Sequence, residues 1–148
     1  MDNICSDGHC INKEFERAGL IQLPRSKMPQ FNTMNQLHLF LKKMEGMGIE
    51  ADAYYLSVPI TKLVPTQTQI SRKIVNKTMK NPMSTMPIII SSKGSVIDGH
   101  HRMEAIKELV RQQKASPFIT VFCIDLPSWM IIGLANHFGF NKSPHYIE

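Results

Sequence analysis

Residues 86–110 read MPIIISSKGSVIDGHHRMEAIKELV, and this stretch decides the fold. The run MPIIIS is rich in β-branched residues and predicts a strand. Ser92, Lys93 and Gly94 supply turn chemistry, and SVID predicts a short strand returning beside the first. Gly99 then turns the chain into HHRMEAIKELVRQQ, where Met103, Ile106 and Val110 share one helical face and Glu104, Glu108 and Arg111 are expected outward. A hairpin that feeds a helix through a glycine turn is therefore the unit around which the rest is arranged.

On the N-terminal side, Thr33 and Gln36 have the spacing of a capping box. Leu37, Phe40, Leu41 and Met44 follow at amphipathic helical spacing, and Gly46 and Gly48 end that helix. AYYLSVPI (53–60) predicts a strand, with Pro59 pushing its end toward an edge or a bend. TKLVPTQ continues as an extended piece into a loop, and Ser71 is placed to cap the helix RKIVNKTMK. NPMSTMP reads as a turn-rich connection. On the C-terminal side, FITVFCIDL predicts a strand, Pro127 suits the first turn of a helix SWMIIGLANHF, and GFNKSPHYIE reads as a docked tail. Residues 1–30 show no clear periodicity: INKEFERAGL can form a short helix, and LPRSKMPQ, between Pro24 and Pro29, is extended. The expectation is an α+β fold, a small mixed curved sheet covered by helices. Residues 1–30 form an irregular N-terminal segment and residues 31–148 a single domain.

Composition narrows the function classes. With 43% hydrophobic and 20% charged residues, the 148-residue chain has the balance of a globular protein with a real core. No apolar run approaches the roughly 20 residues that span a bilayer, and MDNICSDGHC lacks the pattern of a secretory signal. A cytoplasmic protein with no membrane partner is expected. The formal charge of +5 favours polyanionic partners, although solvated helix faces account equally well for each basic group. Three cysteines argue against a disulfide framework. Cys5, His9 and Cys10 offer three possible metal ligands, one short of a closed zinc site.

The chemistry concentrates in VIDGHHR, residues 96–102. A helix that starts after a strand and a tight turn presents unpaired N–H groups and a partial positive charge, a ready anion site. Gly99 lets an oxygen approach the backbone, and Arg102 adds a guanidinium fork suited to phosphate. His100 and His101 can donate further bonds. A carboxylate such as Asp98 is repelled by a neighbouring phosphate unless it holds Mg²⁺ or accepts a proton from an attacking hydroxyl. Structural roles stand beside these: Asp98 as a helix N-cap, Gly99 as a turn, His101 as a first-turn surface residue, Arg102 paired to a local carboxylate. A zinc site using both histidines is disfavoured, because helix neighbours project roughly 100° apart.

LVPTQ followed by a helix, a hairpin and IDGHHRMEAIKEL resembles the ParB/sulfiredoxin-like superfamily over residues 58–138. The resemblance implies a ParB/sulfiredoxin-like fold that binds nucleotide phosphates through Gly99, His100, His101 and Arg102. Sulfiredoxins carry a cysteine in a G-G-C-H-R box where this chain has His100, which disfavours cysteine chemistry here; Cys123, in mid-strand, reads as a buried thiol. Partition clamps carry a helix-turn-helix domain after the box, and the chain ends too soon for one. The box is most similar to that of the free-serine kinases, which use a glutamate in the Pro-bearing loop. Gln67 stands there instead, able to orient a hydroxyl but not to take its proton.

The leading expectation is a nucleotide-dependent phosphotransferase or nucleotide hydrolase, a kinase or NTPase using Mg²⁺ with ATP, ADP or CTP. Asp98, His100 and Gln67 are its candidate catalytic residues, Asp98 also its candidate Mg²⁺ ligand. The acceptor would be a small hydroxylated metabolite or a hydroxylated nucleic-acid base. The alternatives are a non-catalytic nucleotide- or DNA-binding accessory, a nuclease (for which paired carboxylates are missing), and an interaction protein whose box is only a capped helix.

Overall fold

A computed structural model describes residues 3–6, 9–12, 23–82 and 86–141, with the side chains of the first two segments excepted. The quoted stretch forms its expected unit. Strand β5 (Ile88–Ile90) pairs antiparallel with β6 (Val96–Asp98), and helix α3 (His100–Arg111) follows directly. Between the strands Ser91 N–H donates to Ser95 O (2.9 Å) and Gly94 N–H to Ser91 O (3.1 Å), closing the turn. β5 also pairs in parallel with β7 (Phe118–Ile124), which pairs antiparallel with β3 (Ala53–Pro59). The result is an open four-stranded mixed sheet ordered β3-β7-β5-β6.

Alternation along these strands feeds two cores. Ile89, Ile97, Phe122 and Ile124 face Leu37, Phe40 and Met44 of helix α1 (Met34–Gly46) and Ile131, Ile132 and Ala135 of helix α4 (Ser128–His137). Ile88, Ile90, Val96, Val121 and Cys123 face Met103 and Ile106 of α3, with Ile60 and Leu63 from a 3-10 turn after β3. Burial on both faces explains the continuous apolar run of β5. Helix α2 (Arg72–Lys80) packs on the outside of α3, where Ile70, Val75 and Ala105 form a third, small cluster.

Several local expectations are met with changes of detail. Thr33 Oγ1 accepts from Gln36 N–H (3.2 Å), whereas the Gln36 side chain reaches back to Asn32 N–H (2.7 Å), one residue before the expected donor. Ser71 Oγ accepts from Ile74 N–H (3.3 Å) and caps α2. TKLVPTQ is a 3-10 turn with isolated bridges at Val64 and Gln67 instead of a continuous extended piece. Glu104, expected outward, is 1% exposed, because α3 is covered by the sheet on one side and α2 on another.

Within the first 30 residues, expected to be irregular, β1 (Asn3–Ser6) and β2 (His9–Asn12) pair with each other and then with β4 (Gln69–Ser71) as a second, three-stranded sheet. The side chains of Cys5, His9 and Cys10, and most of the short helix expected over residues 11–20, lie outside the described residues. Of the tail expected to dock over residues 139–148, residues 139–141 are described, with Gln30 N–H donating to Phe140 O (2.9 Å), and the rest lies outside the described residues. Among the described residues no helix is long and apolar enough to cross a membrane.

Gly99 carries the strand-to-helix turn with φ +104°, a region L side chains rarely adopt. A Cβ there would stand 3.1 Å from Ile88 Cγ1 and 3.3 Å from Ile88 Cα, which belongs to backbone and cannot move aside. Gly99→Ala is therefore expected to cost about 1–3 kcal/mol, read as a lower denaturant midpoint at unchanged m-value.

Candidate anion-binding cleft

A cleft of about 450 Å³ opens over the start of α3 and brings Asp98, Gly99, His100, His101 and Arg102 together. That volume is in the range of small-molecule sites. The end of β6 and the first turn of α3 form its floor. Arg25, Gln30, Phe31 and Asn32 line one side, Ile74 and Thr78 of α2 the other, and Asn81 and Met86 contribute where the chain enters β5.

Asp98 does not cap the helix. The N-cap is Gly99, which has no side chain to offer, and the first intrahelical bond runs from Met103 N–H to Gly99 O (2.9 Å). The Asp98 carboxylate turns the other way, where Oδ2 accepts from Phe31 N–H (2.9 Å) and ties residues 29–31 to β6. A helix of 12 residues thus begins at the cleft without a side-chain cap, its positive end toward the space.

The two histidines differ from the expectation that their rings donate to a ligand. His100 is 1% exposed, and its Nε2 accepts from both Thr66 N–H (3.0 Å) and Gln67 N–H (3.1 Å). The Thr66 hydroxyl donates instead to Val96 O (2.6 Å). An imidazole nitrogen that accepts two N–H bonds carries no proton, so the ring is neutral with its proton on Nδ1. His101 Nε2 likewise accepts from Ser71 N–H (2.9 Å). The rings staple the Pro-bearing loop and the start of α2 to the box, leaving the backbone of the first turn to define the floor.

Gln67, expected to position an acceptor, is fully buried and does not line the cleft. Its Nε2 donates to Gln69 O (2.5 Å), which fixes the bend into β4.

Arg102 is the cation of the floor. Its guanidinium donates through Nη1 to Met86 O, Nε is buried without a hydrogen-bond partner, and it forms no ion pair among the described residues. The expected alternative of a local carboxylate partner is thus replaced by a backbone carbonyl. Burial pulls its pKa below the ordinary arginine value. Cys123 lies outside the cleft; its Sγ faces Ser91 O (3.7 Å), and burial pushes the thiol pKa up, an unreactive setting.

Arg25, Asn32 and Thr78 line the cleft although no sequence signal singles them out. Ile74 and Thr78 share a face with Val75 and Met79, but the structure divides that face, sending Val75 and Met79 inward and Ile74 and Thr78 to the cleft. Among the described residues no group of three or more His, Cys, Asp or Glu could hold a metal by itself. Neither protein-family models, curated proteins nor solved structures give a match to this chain.

Proposed function

We propose that the cleft binds the phosphates of a nucleotide and that the chain is a nucleotide-dependent phosphotransferase or nucleotide hydrolase of ParB/sulfiredoxin-like type. The observation that carries this is Arg102: a half-buried guanidinium, answered among the described residues by one carbonyl and no carboxylate, beside an uncapped helix start. A desolvated cation in this setting costs stability unless an anion meets it, and a phosphate oxygen suits both the fork and the helix end. The resemblance gains support from one contact: the Pro-bearing loop and the box, 34 positions apart, meet through His100 Nε2.

In this reading the backbone of Gly99, His100 and His101 and the Arg102 guanidinium hold phosphate oxygens. Asp98, on the same wall, is the carboxylate near enough to receive a hydroxyl proton from an acceptor in the cleft. The donor set fits Mg²⁺ only as Asp98 together with phosphate and water oxygens, where the ion would neutralise phosphate charge. Gln67 stands behind the wall and takes no part at the acceptor.

The test is incubation with Mg²⁺ and ATP, ADP or CTP, following both the melting temperature and turnover. A nucleotide at about 100-fold its Kd is expected to stabilise the fold by about 2.7 kcal/mol, a rise in Tm of several degrees. Absence of any shift and any turnover with all three would sink the proposal.

A second reading, a binder without catalysis, is favoured by one specific observation. The Asp98 carboxylate is engaged by Phe31 N–H, and Gln67 is withdrawn, so the cleft offers little beyond a grip. Stabilisation by nucleotide without product would select this reading. Affinity for DNA that falls steeply with salt would identify its nucleic-acid-binding form.

A further inference from the structure

We infer that two copies of this chain associate through the outer edge of β3, pairing antiparallel about a two-fold axis at Leu56, independently of what the cleft binds. β3 is the edge strand of the main sheet, and among the described residues no strand pairs with its outer side. Its seven residues run in unbroken register with β7, from Ala53 opposite Ile124 to Pro59 opposite Phe118.

The register fixes which backbone groups face outward. Asp125 N–H donates to Asp52 O (2.8 Å) at one end of the pair, and Ile60 N–H donates to Pro117 O (2.8 Å) at the other. Antiparallel pairing alternates, so even-numbered residues bond to β7 and Ala53, Tyr55, Ser57 and Pro59 turn their peptide groups to the open edge. Pro59, the one residue without an N–H, falls on the outward side.

Edge strands are ordinarily blunted by charges, bulges or early prolines. AYYLSVP contains no charge and no bulge. Four of the seven exposed large hydrophobic residues among those described, Tyr54, Tyr55, Leu56 and Phe118, lie on this strand or beside its end. An exposed, apolar, hydrogen-bonding edge is a template for another strand.

The chain itself supplies a matching strand. With Leu56 opposite Leu56 of a second copy, Tyr54 meets Val58 and Val58 meets Tyr54, joining the apolar side chains of one face into a continuous strip. Tyr55 and Ser57 then exchange both backbone bonds, and Ala53 N–H meets the Pro59 carbonyl. This register alone pairs the two strands over their whole length from Ala53 to Pro59; moving it by two residues in either direction leaves one end of each strand unpaired. Overlap of the full strand selects the first register.

The test uses the full chain in analytical ultracentrifugation across about 1–200 µM. Wild type is expected to dimerise within this range. Leu56→Lys, substituting an exposed position, places like charges face to face on the axis and is expected to weaken the dimer at least about tenfold. Leu56→Glu should do the same, whereas an equimolar mixture of the two should restore association as a heterodimer. Ser57→Pro removes an outward N–H and leaves the bonds to β7 intact, so it should also give monomers with the wild-type circular dichroism spectrum. A wild type that stays monomeric throughout, whether or not it takes up other extended peptides, overturns the inference. So does a dimer indifferent to both Leu56→Lys and Ser57→Pro, or a Lys/Glu mixture that fails to associate.

Discussion

Arg102→Ala is expected to weaken nucleotide binding about 30- to 150-fold, the 2–3 kcal/mol of a hydrogen bond to a charged group, while leaving the unliganded fold within about 1 kcal/mol of wild type. The asymmetry follows from the surroundings of the guanidinium. In the unliganded protein it is desolvated and, among the described residues, answered only by Met86 O, so its removal relieves a cost as it frees that carbonyl. The sign is fixed by the direction of the shift. A folded-state pKa below the unfolded one means that folding disfavours the protonated form, and this penalty is fully present at neutral pH. Arginine keeps its proton throughout about pH 5–9, so the stability difference between wild type and variant should be flat across that window. Titration calorimetry with ATP, ADP and CTP reads the affinity. Arg102→Lys should recover only part of it, since an ammonium supplies a point charge without the planar fork. Unchanged affinity in the alanine variant would remove Arg102 from the site.

The opposite pattern is expected at the neighbouring histidine. His100→Ala deprives Thr66 N–H and Gln67 N–H of their common acceptor in a fully buried setting and leaves a void at the foot of α3. Each orphaned donor costs about 1–3 kcal/mol and the void adds to it, for a loss of about 3–5 kcal/mol in chemical denaturation. Against a typical total of about 5–15 kcal/mol, that is a large share. His100→Gln returns an acceptor at a similar reach and should recover part of the loss, which a purely volumetric role for the ring would not predict. A loss below about 1 kcal/mol in the alanine variant would show that the loop holds without the ring.

These two residues show where sequence reading succeeds and where it stops. The strand–turn–helix unit is legible because IIISSKGSVIDG combines β-branched runs, turn residues and a glycine whose φ of +104° no other residue adopts easily. The α1 stripe is legible because Leu37, Phe40 and Met44 all turn to one core, which the sheet, α4 and Phe31 share. Glu104 escapes such a reading because a helix enclosed on two sides buries more than one stripe, and periodicity alone registers only one. Within the site, the assembly of Asp98 through Arg102 at one cleft follows from their adjacency in the chain. What each ring or carboxylate touches does not. The partners of His100, His101 and Asp98 lie between 30 and 67 positions away, at Thr66, Ser71 and Phe31. Arg25 and Thr78 reach the cleft through the same long-range packing, which leaves no local periodic trace.

The wall contributed by residues 25–32 has a consequence for the order of assembly. It is anchored by Phe31 on Asp98, by Asn136 on Lys27 O and by Asn141 on Ser26 O, across 67, 109 and 115 positions of chain. The hairpin and α3 close over short loops, whereas this wall must wait for contacts whose loop-closure entropy is among the largest in the molecule. During synthesis the start of α3 can therefore be in place well before there is a complete cleft around it. Floor and enclosure are separate folding events, and an early intermediate would expose the helix start without the walls that shape the cleft.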